Sequence, residues 1–202
     1  MRQRRVGGLA LLVGVAVAVA VAVAVTLTGC TGGSDGLAKQ YRDGDTKNYI
    51  SGDGAVTEFA ANDRGERVTF ESRDLDGKVI RADQYRGKAL VLNFLYASCA
   101  PCRVEAKDLQ AVSDDRHAQA SFLGVDVRDS AATARAFVKE HDVSYSNAVD
   151  QDAAVQLAFS GTNAPNSTPA TIILDKEGRV SARILGPINR SVLTTLIDEA
   201  NK

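Results

Sequence analysis

Two cysteines lie two residues apart in Cys99-Ala100-Pro101-Cys102, directly after the apolar run that starts at Ala89 and ends at Ala97. Thiols at this spacing can close into a disulfide and reopen, and the thiolate is the attacking species in that exchange. A buried strand leading into a helix sets the first thiol at a helix N-terminus, where the backbone dipole favours the thiolate. Spacing and setting together suggest redox chemistry. A purely structural bridge is the competing use, although closing so small a loop constrains the unfolded chain by only about 2 kcal/mol. Zinc is another, but a structural zinc site takes four ligands. This chain has no second cysteine pair, and its two histidines, His117 and His141, lack paired ligand spacing. Both are expected at the surface or at helix ends, and no metal or cofactor is expected.

The elements that must position the pair follow from periodicity. Ala89 to Phe94 is nearly all apolar and predicts a central strand covered on both faces. From Pro101 to about Asp115 the spacing predicts a helix with Ala106, Leu109 and Val112 on one face. Upstream, residues 67–72 alternate as a half-buried strand, and Asp76-Gly77 turns into a second short strand, Lys78-Val79-Ile80. Downstream, a buried strand at 121–127 precedes an alanine-rich helix at 131–140 and a short helix at 153–159. Strands at 170–175 and 179–184 flank Lys176-Glu177-Gly178 as a hairpin, and an amphipathic helix at 189–200 closes the chain. The order predicts an α/β sandwich, a mixed central β-sheet flanked by helices with an N-terminal β-hairpin extension.

The chain opens Met1-Arg2-Gln3-Arg4-Arg5 and continues with 22 uncharged residues, Val6 to Leu27. A basic head before an apolar stretch is the layout of an export signal, and the stretch is also long enough to span a bilayer. Leu27-Thr28-Gly29-Cys30 resembles the lipobox of bacterial lipoproteins, which implies lipidation of Cys30 and removal of residues 1–29; an uncleaved anchor is the alternative. Residues 30–55, rich in Gly, Ser, Asp and Thr, are expected to be a flexible tether, and 56–202 to form one domain. Without the leader the chain has 21 basic and 25 acidic residues, a mild balance that argues against a nucleic-acid partner. An extracytoplasmic setting permits disulfides to persist.

Leu90-Val91-Leu92-Asn93-Phe94, Cys99-Ala100-Pro101-Cys102-Arg103 with Glu105, and Thr168-Pro169 before an apolar strand resemble the TlpA/ResA group of thioredoxin-like proteins, in the redoxin (AhpC/TSA-like) superfamily. Leu75 to Val79 and Tyr85 to Lys88 match the segment that such proteins carry before the thioredoxin core. The resemblance covers roughly 68–200 and implies a thioredoxin-like fold. It implies an exposed nucleophile in Cys99, a resolving thiol in Cys102 and a proton relay in Glu105, where an ordinary solvated helix glutamate is the alternative. It further implies a cis-proline at Pro169, with Thr168 offering backbone hydrogen bonds to an extended substrate. Pro101 suits the first helical turn, and Arg103 is either a source of positive charge near the thiolate or a solvated surface residue. Three positions depart from the group: Leu95 and Ser98 stand where tryptophans are common, and Lys107 where proline is.

The implied activity is that of a membrane-tethered extracytoplasmic thiol–disulfide oxidoreductase. It would reduce protein disulfides, as relatives do in some cases on apocytochrome c during cytochrome c maturation. The implied partners are protein disulfide or dithiol substrates and a membrane thiol donor of CcdA/DsbD type, met by a monomer. Two other classes stay open. A thiol peroxidase of peroxiredoxin type usually has Thr three residues before its cysteine, where this chain has Tyr96. A non-catalytic binding lipoprotein would carry an inert bridge.

Overall fold

The computed structural model describes residues 56–159 and 161–202. The export signal, the lipidation site Cys30 and the tether expected at 1–55 lie outside the described residues. In chain order the elements are β1 (Val56–Glu58), β2 (Glu71–Asp74), β3 (Val79–Arg81), β4 (Ala89–Leu95), α1 (Ala100–Arg116), β5 (Ala120–Asp126) and α2 (Ala131–Glu140). They continue with β6 (Ser146–Val149), α3 (Ala154–Leu157), β7 (Ala170–Leu174), β8 (Val180–Leu185) and α4 (Arg190–Ala200). The strands form one mixed sheet in the order β1-β8-β7-β4-β5-β6-β2-β3. β4 runs parallel to β5 and β5 to β6, and the other pairs are antiparallel. No described helix is long and apolar enough to cross a membrane.

The apolar run of β4 is explained by its place at the centre of the sheet. Leu90, Leu92 and Phe94 pack on one face with Phe70, Leu123, Ile172 and Phe159, and the Phe94 and Phe159 rings meet edge to face at 5.8 Å. Ala89 and Val91 face the other side, against Leu109 of α1 and Leu193, Leu196 and Ile197 of α4. Alternation along the strand therefore places Asn93 and Leu95 on the α1 face.

Two strands were not foreseen, and one began late. β1 has three residues and β6, Ser-Asn-Ala-Val, is half polar; neither shows the alternation that marks a strand. Backbone pairing carries them instead: β6 lies between β5 and β2 and joins the N-terminal hairpin to the core sheet. The strand expected from residue 67 starts at Glu71. Val68 instead donates its N–H to Gly178 O and accepts at its carbonyl from Arg86 Nη2. The Arg86 guanidinium fills the space a side chain at Gly178 would occupy, since an added Cβ there would lie 1.3 Å from Arg86 Nη1.

A second glycine is required by packing. A Cβ on Gly124 of β5 would come within 2.0 Å of Asn147 Oδ1. Gly124→Ala forces the Asn147 side chain to turn and give up the bond from its Nδ2 to Tyr145 O. The expected cost is about 1–2 kcal/mol, measured as a lower urea midpoint at unchanged slope.

Candidate active site

β4 delivers the chain to a short turn, Tyr96-Ala97-Ser98, closed by the Cys99 N–H donating to Tyr96 O at 3.1 Å. Cys99 then caps α1, its Sγ accepting the Cys102 N–H at 3.3 Å, and Pro101 falls in the first turn as expected. This hydrogen bond and the helix dipole both favour a thiolate on Cys99 once the pair is reduced. Cys99 and Cys102 are joined, with an S–S distance of 2.06 Å and a Cα–Cα distance of 5.3 Å.

The expected exposure of Cys99 is corrected by the structure: it is 3% exposed, and Cys102 2%. The bridge sits in a cluster with Leu95, Ala106 and Phe137, and Tyr96 and Ala97 pack against it. The turn that presents Cys99 therefore also covers it.

Glu105 is no solvated helix glutamate. It is 2% exposed, one helical turn beyond Cys102. Its Oε1 accepts from Asn93 Nδ2 and its Oε2 from the Ile188 N–H, both at 2.9 Å. Burial raises its pKa to about 7, the Ile188 and Asn93 hydrogen bonds oppose the rise, and the charge on Asp108 adds to it. Burial also raises the Tyr145 phenol, and Glu105 adds to that shift. A carboxyl with this pKa can hold or release a proton at neutral pH.

Asn93 and Ile188 were missed as partners of this carboxyl. Asn93 also donates to Thr171 Oγ1 at 3.1 Å, its register partner on β7. One signal was available: a single amide inside an otherwise apolar, doubly covered strand needs a buried partner.

Thr168-Pro169 is a cis peptide bond. Pro169 precedes β7, whose first residue Ala170 is paired antiparallel with Phe94. The proline and the turn before Cys99 therefore leave the sheet at the same end. The Pro169 carbonyl accepts from the Gly186 N–H at 2.9 Å and from Ser167 Oγ at 3.2 Å. Arg103 pairs with Glu140 on α2 at 3.1 Å, which answers for its charge without the thiols. His117 and His141 stand at the C-terminal ends of α1 and α2 as expected, His117 Nδ1 against Asp114 O and the His141 ring against Phe137.

The sequence pattern of the AhpC/TSA family matches residues 64–183. The chain belongs to this family. Among its relatives, the thiol:disulfide interchange protein HelX of Rhodobacter capsulatus is 29% identical over 144 residues, covering 71% of this chain and 78% of its own. The thiol-disulfide oxidoreductase ResA of Bacillus cereus is 26% identical over 122 residues, covering 60% of this chain and 68% of its own. A secreted thiol-disulfide isomerase of Corynebacterium glutamicum superposes with a TM-score of 0.66 at 27% identity, over 78% of this chain and 99% of that one. The fold expected from the sequence, thioredoxin-like with a mixed sheet, is the fold these relatives share. With a closed Cys99–Cys102 pair at the head of α1, this AhpC/TSA member is a thiol–disulfide oxidoreductase.

Proposed function

We propose that the protein acts outside the cytoplasm, tethered through a lipidated Cys30, and reduces disulfides in partner proteins. The observation that carries the chemistry is the Cys99–Cys102 pair at the N-terminus of α1 with the Glu105 carboxyl buried one turn beyond it. The extracytoplasmic reading is supported by the basic and apolar leader, by the lipobox-like Leu27-Thr28-Gly29-Cys30, and by the secreted relative from Corynebacterium glutamicum. A partner segment would dock extended along Thr168-Pro169, by backbone hydrogen bonds of the strand-addition kind. Val104, 79% exposed in the second turn of α1, offers that partner an apolar contact on the same helix as the thiols.

The steps balance. The Cys99 thiolate attacks one sulfur of the partner disulfide, the partner S–S bond breaks, and the released partner thiolate takes a proton. Cys102 passes its proton to the Glu105 carboxylate and attacks the Cys99 sulfur. The mixed disulfide breaks, the second partner thiolate leaves, and the protein ends with the Cys99–Cys102 bridge and two electrons fewer. A membrane protein dithiol, of the CcdA/DsbD kind, returns the electrons by the same exchange, and an apocytochrome c is a fitting substrate of this class. Tyr96, three residues before Cys99, lies beneath the Arg128 guanidinium at 4.1 Å, and no threonine hydroxyl stands there to assist a peroxide.

Equilibration with glutathione and dithiothreitol buffers, followed by thiol alkylation and mass measurement, tests the direction. A reductase is expected to show a midpoint of about −200 mV or lower, whereas a value near −120 mV marks an oxidant.

A further inference from the structure

A partner sulfur has to reach Cys99, yet Cys99 is 3% exposed. Tyr96 and Ala97 pack against the disulfide cluster, and both are held by the loop between β5 and α2. The Ala97 N–H donates to Asp129 Oδ2 at 2.6 Å, and the Arg128 guanidinium lies over the Tyr96 ring. The loop itself is organised by Asp126, whose Oδ1 accepts from the Asp129 N–H at 2.8 Å and the Arg128 N–H at 3.1 Å. Two further backbone bonds fix its base, from Val127 N to Leu95 O and from Asp150 N to Asp126 O.

Asp126 is the last residue of β5 and the register partner of Leu95, so both side chains stand on the α1 face of the sheet, where Leu95 touches the disulfide cluster. It is 3% exposed, and no N–H or hydroxyl donor reaches its Oδ2. A buried carboxylate oxygen without such a donor is costly, and the proton is the cheapest way to remove the charge. Burial raises the Asp126 pKa, the two N–H bonds oppose the rise, and the charge of Asp129 and a side-chain hydrogen bond with it add to it.

We propose that Asp126 and Asp129 are positioning residues that clamp the Tyr96–Ser98 turn over Cys99 and release it when Asp126 loses its proton. While Asp126 is neutral, the Asp129 side chain beside it holds the Ala97 N–H. Once Asp126 carries its charge it repels the neighbouring Asp129, the half-buried Asp129 turns outward to solvent, and the turn loosens over the sulfur. Four other charged groups of the surrounding elements are engaged elsewhere. Arg128 lies on Tyr96, Arg103 of α1 pairs with Glu140 of α2, Arg135 of α2 pairs with Asp76, and Asp150 beyond β6 caps α3 through the Val155 and Gln156 N–H groups. The remaining titratable groups near the turn are the Tyr96 phenol, the two thiols when reduced, Glu105 of α1, which is tied to Asn93 and Ile188, and His141 at the end of α2, whose ring packs against Phe137 of the disulfide cluster.

The proposal rests on Cys99–Cys102 being an exchangeable bridge, and its test separates the two. Two quantities are followed from about pH 5 to about pH 9 on the oxidised protein: hydrogen-exchange protection of the Ala97 amide and the rate of reduction by dithiothreitol per dithiothreitol thiolate. In the wild type, protection is expected to fall about tenfold and the normalised rate to rise about threefold or more as Asp126 loses its proton. Asp126→Asn, neutral at every pH, holds Ala97 protection flat and leaves the rate only the pH dependence that Glu105 gives it, whereas Glu105→Gln retains the step in both. Asp129→Asn lowers Ala97 protection across the whole range. A wild-type protein that is reduced with flat Ala97 protection, or a protection step that persists in Asp126→Asn, overturns the clamp alone; the wild-type profile decides this even if that variant does not fold. A bridge that dithiothreitol cannot reduce at any pH overturns both the clamp and the exchange reading.

Discussion

Cys102→Ser is expected to turn the protein into a trap. Cys99 caps α1 and accepts the Cys102 N–H at its sulfur, so its thiolate is the one stabilised by the helix terminus. Serine at 102 keeps that N–H and occupies a similar volume, but it cannot attack the mixed disulfide. The variant should therefore form a stable covalent adduct with a partner protein in the native host, seen as a reducible band and identified by mass spectrometry. Cys99→Ser is expected to form no such adduct, and disulfide exchange should fall by at least about a thousandfold for both variants. An adduct formed through Cys102 in Cys99→Ser would reverse the assignment of nucleophile and resolving thiol. A correctly exported Cys102→Ser protein with no adduct would favour the inert bridge.

Glu105→Gln carries the second large effect, with a definite sign. The folded-state pKa of about 7 lies above the ordinary 4.5, so the native protein binds this proton more tightly than the unfolded chain does. The stability this contributes is fully present below about pH 4.5 and is lost as pH rises through about 7. A shift of this size corresponds to about 3 kcal/mol between the two limits. Urea denaturation of the oxidised wild type should show at least that fall, and Glu105→Gln should remove about that much of it. If Glu105 also accepts the Cys102 proton, the variant should slow release of the partner about tenfold to a hundredfold in stopped-flow exchange at neutral pH. An unchanged release rate beside a flattened stability profile would leave the carboxyl a structural role only.

Much of the site was legible because its parts are local. The Cys-x-x-Cys spacing, an apolar strand before it, an amphipathic helix after it and an x-Pro before a later strand each show within about ten residues. α2 matches its expected bounds, 131–140, and α1, β5, β7, β8 and α4 differ from theirs by a residue or two at an end. β1 and β6 escaped because short strands at or near a sheet margin are held by backbone bonds to neighbours, and a half-polar run such as Ser146-Asn-Ala-Val149 shows no alternation of its own.

By itself the sequence determined that two thiols stand together at a helix start, behind a strand that must be central, with a carboxyl one turn on and a proline loop downstream. Only the tertiary structure decided what surrounds them. The Ile188 N–H that holds Glu105 comes from 83 residues away, and the Asp129 carboxylate that holds Ala97 from 32. Such contacts depend on which strands become neighbours, and burial follows from that arrangement and from no local pattern. The expected exposed Cys99 accordingly became a sulfur covered by its own turn, and the carboxyl of uncertain role became a buried acid poised near neutrality.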